Sequence, residues 1–185
     1  MFPNKTKMLD KKLSDVIKVL DDLRLQNIID DYAIGGAVAA ILHHEPISTI
    51  DLDIFFFFAE KQTGLILSLD KIYDYANQNG FEFDAEFINI YGWLVQFVES
   101  SHSPLWLEAI ENAVAFETDG VKFKVIGREH LVAMWILAGR GKDYAKIEMF
   151  LSADLVELEK LFDILNRFDL REKWNKESWR FMKDE

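Results

Sequence analysis

The chain has 185 residues, half of them hydrophobic, which is a single-domain length with enough apolar side chains for a substantial core. It contains no cysteine, which excludes disulfides and cysteine metal sites and makes a cytoplasmic location the default expectation. The net charge of −11 argues against a general nucleic-acid coat protein. Because there is no long apolar run and the N-terminal residues are polar, we expect no membrane-spanning helix and no signal peptide.

The N-terminal third predicts a helix, a strand and a second helix. Apolar residues at near-helical spacing indicate an amphipathic helix from Met8 to about Asp30 that packs on a sheet. A short apolar strand, Tyr32 to Ile34, then leads into a Gly35-Gly36 turn and a helix of small residues from Ala37 to about Leu42.

The next predicted strand carries two aspartates and runs into four phenylalanines. Asp51 and Asp53 are two residues apart, so both side chains leave the same face of a strand. Two neighbouring carboxylates repel each other unless a cation lies between them. The continuation into Phe55–Phe58, apolar on both faces, is typical of a buried central strand and favours a divalent-cation site over the solvent face of a half-buried sheet.

Two hairpins and two helices are predicted in the middle of the chain. A polar connection, 59–64, precedes a helix from Leu65 to Gln78 that ends at Asn79-Gly80. Strands over Glu86–Ile90 and Trp93–Val98 are joined at Tyr91-Gly92. A helix from Pro104 or Leu105 to about Ala115 is followed by strands over Phe116–Thr118 and Val121–Ile126, joined at Asp119-Gly120.

From Arg128 onward the pattern predicts helices alone, over 129–138, 142–151, 153–167 and 170–182. Strands in the first two thirds and helices in the last third indicate an α/β or α+β fold, in which a mixed central sheet is flanked by helices. We therefore expect one domain, with a sheet-containing core over 1–126 and a helical part over 127–185 packed on it.

The Gly35-Gly36 pair, followed about a dozen residues later by alternating Asp51 and Asp53 among hydrophobic residues, resembles the signature of the nucleotidyltransferase (polymerase-beta-like) superfamily. The resemblance implies a nucleotidyltransferase fold in which Asp51 and Asp53 bind Mg²⁺ or Mn²⁺ and Gly35, Gly36 and Thr49 contact the nucleotide. Such enzymes transfer a nucleoside monophosphate from an NTP to a hydroxyl of RNA, protein or a small molecule.

A second, shorter match lies in the basic segment from Val121 to Ile147, where a nucleotide or an RNA end could bind although solvated helix faces would explain the charges equally well. Its cations are Lys122, Lys124, Arg128, Arg140, Lys142 and Lys146. Glu129 to Ala133, followed by Gly139-Arg140-x-Lys142-Asp143, resembles the small nucleotidyltransferases related to the AbiEii abortive-infection toxins. This resemblance implies that Arg140 and Lys142 lie near the nucleotide or the acceptor, and that a partner antitoxin restrains the activity. Alternatively, Arg140 and Asp143 form an i,i+3 ion pair that braces two helices.

One position departs from the superfamily pattern. The third carboxylate expected on a neighbouring strand is matched by Gln96, whose amide cannot act as a general base, and Glu99 is predicted on the opposite face of that strand. Ile47 stands where some relatives have an arginine. The catalytic set predicted from the sequence is therefore Asp51, Asp53 and Gln96.

Three functions follow from this pattern. The first is a Mg²⁺-dependent nucleotidyltransferase, acting as a toxin in one version. The second is a catalytically weakened protein of this fold that binds nucleotide or serves as an antitoxin or regulatory partner, which Gln96 favours. The third is a structural adaptor whose acidic surface binds a basic partner. Surface or capping roles are expected for His43, His44, His102 and His130. Packing roles are expected for the tryptophans, although Trp93 and Trp106 are candidates for stacking on a base.

Overall fold

The computed structural model describes residues 12–43, 51–59 and 69–181. Seven strands form one mixed sheet in the order β3-β4-β5-β2-β1-β7-β6. The strands are β1 (Ile29–Ile34), β2 (Asp51–Phe58), β3 (Glu82–Asp84), β4 (Phe87–Ile90), β5 (Trp93–Glu99), β6 (Val114–Thr118) and β7 (Val121–Val125).

Within the described residues, eight α-helices and one 3₁₀ turn (Ser178–Arg180) surround this sheet. None of these helices combines the length and the apolar character needed to cross a lipid bilayer. The helices are α1 (Leu13–Leu25), α2 (Gly36–His43), α3 (Asp70–Gln78), α4 (Pro104–Glu111), α5 (Arg128–Ala138), α6 (Gly141–Ser152), α7 (Leu158–Arg167) and α8 (Arg171–Glu177). The predicted mixed sheet with flanking helices is confirmed.

The centre of the sheet is β2, paired antiparallel with β1 and parallel with β5. Its side chains alternate: Leu52, Ile54, Phe56 and Phe58 are buried, whereas the residues between them on the other face are partly exposed. Phe56 has no exposed surface and makes edge-to-face contacts with Phe58 and Phe97. The prediction of a central strand is confirmed, and its two faces differ because one of them borders a cleft.

The turns predicted from glycine positions are confirmed. Tyr91 and Gly92 both have positive φ, as do Asp119 and Gly120, and each pair joins two antiparallel strands. Gly80 follows α3 in the left-handed region, and Gly139 ends α5 with a φ of 65°. These positive φ angles favour residues without a Cβ or with a short polar side chain.

Four predicted helices are too long, and one of these, predicted over 170–182, ends at Glu177 and is followed by the 3₁₀ turn Ser178–Arg180. Each of the other three ends early or begins late. The helix predicted to reach Asp30 ends at Leu25, because Asn27 adopts a left-handed conformation (φ 54°) and Ile29 starts β1. The helix predicted to start at Ala153 begins at Leu158. Asp154 also has a positive φ (53°), and the turn it forms separates this helix from α6.

The third helix, α4, ends at Glu111 rather than Ala115, because Val114–Thr118 pairs with β7 as a strand. The short edge strand β3 was not predicted from the sequence, because its three residues are all exposed and too few to establish an alternating pattern. Helix α3 is described from Asp70, so the predicted start at Leu65 and the connection over 59–64 lie largely outside the described residues.

The C-terminal helices are joined to the sheet through α5. Seven of its eleven residues are buried, among them Trp135, which contacts Phe150 of α6 edge to face with 5.1 Å between ring centroids. A polar cluster adds to this packing: Glu108 of α4 lies 3.0 Å from His130 Nε2 of α5 and accepts a hydrogen bond from Arg167 of α7. Three helices therefore share one carboxylate.

We predict that Glu108→Gln lowers the free energy of unfolding by about 1–2 kcal/mol at neutral pH, because it removes one charged partner of Arg167 and His130. The hydrogen bond from Arg167 lowers the pKa of Glu108 below 4.5, against the effect of burial. The stabilisation that ionised Glu108 provides is therefore fully present above pH 4.5. It is lost as the pH falls through the lowered pKa of Glu108 in the folded protein.

Urea unfolding of both proteins as a function of pH measures this difference. Glu111→Gln, an exposed change on the same helix, serves as the control and should stay within about 0.5 kcal/mol of the wild type. An equal loss in both variants, or a loss in Glu108→Gln that persists in acid, would contradict the assignment.

Candidate functional site

The turn between β1 and α2 packs directly on β2. The Gly35 N–H donates a 2.9 Å hydrogen bond to the Asp53 carbonyl oxygen. A Cβ on Gly36, whose φ is +58°, would lie 1.7 Å from Asp53 Oδ2, and one on Gly35 would lie 2.4 Å from the Phe55 ring. Both positions therefore require glycine, and the turn borders the Asp53 carboxylate.

Asp51, Asp53 and Gln96 project from one face of the sheet, which we call the carboxylate face. The two aspartates alternate with buried Leu52 and Ile54. In the parallel pairing of β2 with β5, Asp53 lies opposite Gln96, and partners in such a pair point to the same side. Glu99 has the opposite orientation, and its carboxylate accepts a hydrogen bond from the Ser101 N–H.

Burial raises the pKa of the Asp53 carboxyl, and Asp51 raises it further by charge repulsion. Three cations act in the opposite direction, with Lys146 contributing most, followed by Lys142 and Arg140. An ionised Asp53 is therefore held in a place that disfavours its charge, close to positive groups that only partly compensate.

These three cations, Arg140, Lys142 and Lys146, form what we call the cation wall, at the start of α6. Gly139 ends α5 in a left-handed turn, and α6 begins at Gly141 immediately afterwards. Lys142 and Lys146 are one helical turn apart, so they share a face of α6. The cation wall faces the carboxylate face across a cleft of about 550 Å³.

The cation wall is supported from behind by Asp143, which is fully buried. Its carboxylate accepts hydrogen bonds from Arg140 Nε (2.6 Å) and Nη2 (3.2 Å) and from Lys146 Nζ (3.5 Å). The predicted Arg140–Asp143 ion pair is therefore present, and the Arg140 side chain, 59% exposed, also borders the cleft. The two alternatives for Arg140 are compatible.

Aromatic side chains complete the cleft. Phe55, Phe87, Trp106 and Trp135 line it together with the charged residues. Trp106 contacts Phe55 edge to face at 5.4 Å, and Lys146 Nζ lies 5.3 Å from the centre of the Trp135 ring. These rings offer an apolar surface beside the charges, as in many small-molecule sites.

The structure brings most of the residues predicted for the site to one place. Gly36, Asp51, Asp53, Gln96, Arg140 and Lys142 line the cleft, and Gly35 lies behind its floor, whereas Thr49, Ile47 and His44 lie outside the described residues. Lys146 and Glu86 also line it, although neither was among the predicted site residues. The spacing of four between Lys142 and Lys146 was the available signal for Lys146.

Several other residues, from the basic segment and among the histidines and tryptophans, lie outside the cleft. Lys124 of the basic segment pairs with Asp31, and Arg128 donates to the Leu155 carbonyl oxygen. His43 Nε2 lies 2.8 Å from the Ile126 carbonyl oxygen and its ring contacts Phe116 edge to face, so it packs against these residues where a surface or capping role was expected. Trp93 does not border the cleft, so of the two stacking candidates only Trp106 lies there.

The donor set of the carboxylate face suits a hard divalent cation. Two carboxylates and one amide supply oxygen atoms alone, which are the ligands that Mg²⁺ prefers. Among the described residues, no group of three or more histidine, aspartate or glutamate side chains lies close enough together to hold a metal. A site here would therefore depend on the two aspartates, with remaining positions open to water and substrate oxygens.

No protein-family model matches this chain, and no curated protein sequence is significantly similar to it. Solved structures are similar in fold. An antigenic nucleotidyltransferase-like protein from Paracoccidioides brasiliensis superposes with a TM-score of 0.53 at 18% identity, over 93% of each chain. The antibiotic-resistance factor ANT(2'')-Ia gives a TM-score of 0.48 at 14% identity, over 90% of this chain and 96% of its own. The protein has a nucleotidyltransferase-like fold.

Proposed function

We propose that the protein is a Mg²⁺-dependent nucleotidyltransferase that transfers a nucleoside monophosphate from an NTP to a hydroxyl acceptor. One observation carries this proposal: Asp51 and Asp53 lie on one face, next to the Gly35-Gly36 turn and opposite the cation wall. A carboxylate pair facing three cations across about 550 Å³ can accommodate a triphosphate and its metal ion together.

Each wall has a separate task in this proposal. Asp51 and Asp53 hold the divalent cation, which when bound neutralises phosphate charge and lowers the pKa of the attacking hydroxyl. The backbone N–H groups at the start of α2 bind phosphate oxygens, because a helix N-terminus carries unpaired donors and a partial positive charge. The cation wall stabilises negative charge on the departing pyrophosphate.

The aromatic part of the cleft provides a place for the nucleoside. Trp106 is half-buried against Phe55 and borders the same cavity as Asp53, so its ring is available to stack on a base. Stacking is tolerant of base identity because every base has a π-face. This arrangement favours recognition of an NTP through its phosphates and ring rather than through a base-specific pattern.

A second candidate function is supported by Gln96. Its amide stands directly beside Asp53, where the superfamily pattern has a third carboxylate, and an amide accepts no proton at neutral pH. A chain of this kind would bind the nucleotide but transfer it slowly or not at all. Within the AbiEii-like resemblance, the active form corresponds to a toxin and the weakened form to an antitoxin or regulatory partner.

We predict that the protein binds at least one of ATP, CTP, GTP and UTP in the presence of Mg²⁺, with a dissociation constant below about 1 mM. The double variant Asp51→Asn, Asp53→Asn should lose this binding, because both charged metal ligands become neutral. Isothermal titration calorimetry measures the result, with Asp84→Asn, an exposed change on β3 away from the cleft, as the control.

Two outcomes would contradict the proposal: no nucleotide binding by the wild type, or binding that the double variant retains. Incubation with α-labelled NTPs and total cell RNA or protein separates the two candidate functions. Label transfer that Asp53→Ala abolishes supports the enzyme, and nucleotide binding without transfer supports the weakened form.

We also predict that Asp53→Asn raises the melting temperature of the metal-free protein. Burial and Asp51 both disfavour the charge on Asp53, so its removal relieves the folded state by more than the lost attraction to Lys146 costs. The expected rise is on the order of 2–4 °C, the shift that 1 kcal/mol gives in a domain of this size.

With saturating Mg²⁺ and NTP the order should reverse, because only the wild type gains binding energy. Differential scanning fluorimetry of wild type, Asp53→Asn and the Asp84→Asn control measures both conditions. A metal-free Asp53→Asn protein that melts below the wild type would show that Asp53 has a structural role instead.

A further inference from the structure

We propose that Glu86 is the general base that accepts the proton of the attacking hydroxyl, an inference that rests on the proposed nucleotidyl transfer. Glu86 lines the same cleft as Asp51 and Asp53, but it comes from the turn between β3 and β4 rather than from β5. In this proposal the carboxylate that acts as general base lies on the β3–β4 hairpin and not on β5 at the position of Gln96.

The residues already assigned to the cleft leave the base position open. Asp51 and Asp53 serve as metal ligands, and the Gln96 amide cannot take a proton. The cation wall consists of groups that are positively charged at neutral pH. Among the described residues that line the cleft there is no histidine, and Glu86 is the one remaining carboxylate.

Glu86 borders the cleft from the turn that precedes β4. Strand β4 runs antiparallel to β5 with Ile88 opposite Val95, so Phe87 lies level with Gln96, and Glu86 belongs to the turn immediately before Phe87. The turn contains Ala85 at a φ of 53°, in the left-handed region that residues with a Cβ seldom adopt. Strained residues of this kind recur beside functional sites.

The Glu86 side chain has the freedom that a base needs. It is exposed and forms no hydrogen bond or ion pair with any residue that the structure describes. It is also not grouped with the two aspartates at metal-binding distance. The acceptor hydroxyl must fit between the general base and the aspartates that bind the metal. The separation of Glu86 from Asp51 and Asp53 therefore suits a general base better than a third metal ligand.

The reaction balances with Glu86 in this role. The acceptor O–H bond breaks and its proton passes to the Glu86 carboxylate, while the acceptor oxygen forms a bond to the α-phosphorus. The bond from that phosphorus to the bridging oxygen breaks, and pyrophosphate leaves with the electron pair. Glu86 then returns its proton to solvent.

Glu86→Gln tests this proposal. We expect kcat for label transfer from the α-labelled NTP to total cell RNA or protein to fall about 10²–10⁴-fold, the contribution typical of a general base. Nucleotide affinity in calorimetry and the melting temperature should stay at wild-type values, because the side chain makes no contact that the fold depends on. Adding Gln96→Glu to Glu86→Gln should restore part of the lost activity, since it returns a carboxylate to β5.

The control is Glu82→Gln, the same chemical change at an exposed position of β3 outside the cleft, which should transfer label at the wild-type rate. Equal transfer by wild type and Glu86→Gln overturns the assignment of Glu86 and leaves the proposed function standing. A wild type that binds NTP but transfers no label removes both the enzyme and its base. A parallel loss of nucleotide affinity in Glu86→Gln also overturns the proposal, because it makes Glu86 a binding residue.

Discussion

The hydrogen bond from the Gly35 N–H to the Asp53 carbonyl oxygen fixes the position of the β1–α2 turn against β2. Because this bond is made by the backbone of the same residue that presents a carboxylate to the cleft, turn and charge cannot move apart. The absence of a Cβ on Gly36 then lets the Asp53 carboxylate come within 1.7 Å of where that atom would be. The donors at the start of α2 and the acid on β2 are thereby placed side by side.

The position of the cation wall depends on a different interaction, with a buried carboxylate that does not line the cleft. Asp143 is fully buried and accepts hydrogen bonds from Arg140 and Lys146, so two flexible cationic side chains are held at one end of α6. Such fixed charges need little reorganisation when a polyanion binds. Trp135 lies beneath Lys146, and α5, which carries it, is buried in the core, so the position of the cation wall follows that of the sheet.

Much of this arrangement could be predicted from the sequence, since the relevant signals are short and local. The alternation around Asp51 and Asp53, the Gly35-Gly36 pair and the Arg140-x-Lys142-Asp143 stretch each define backbone geometry or helical spacing over a few residues. What could not be predicted arises from contacts between distant segments. The burial of Asp143 and the presence of Glu86 at the cleft depend on how the helices pack and on the register of β4 against β5, which no spacing reveals.

The two-residue alternation along β2 also limits how this chain can vary in length. Leu52 and Ile54 are fully buried on one face, while Asp51 and Asp53 occupy the other. A single inserted or deleted residue within the strand would turn its side chains to the opposite faces of the sheet. Both aspartates would then enter the hydrophobic core, and the aliphatic residues would enter the cleft. Insertions and deletions in relatives of this protein should therefore be confined to the segments before and after β2, where the pattern of alternation is unaffected.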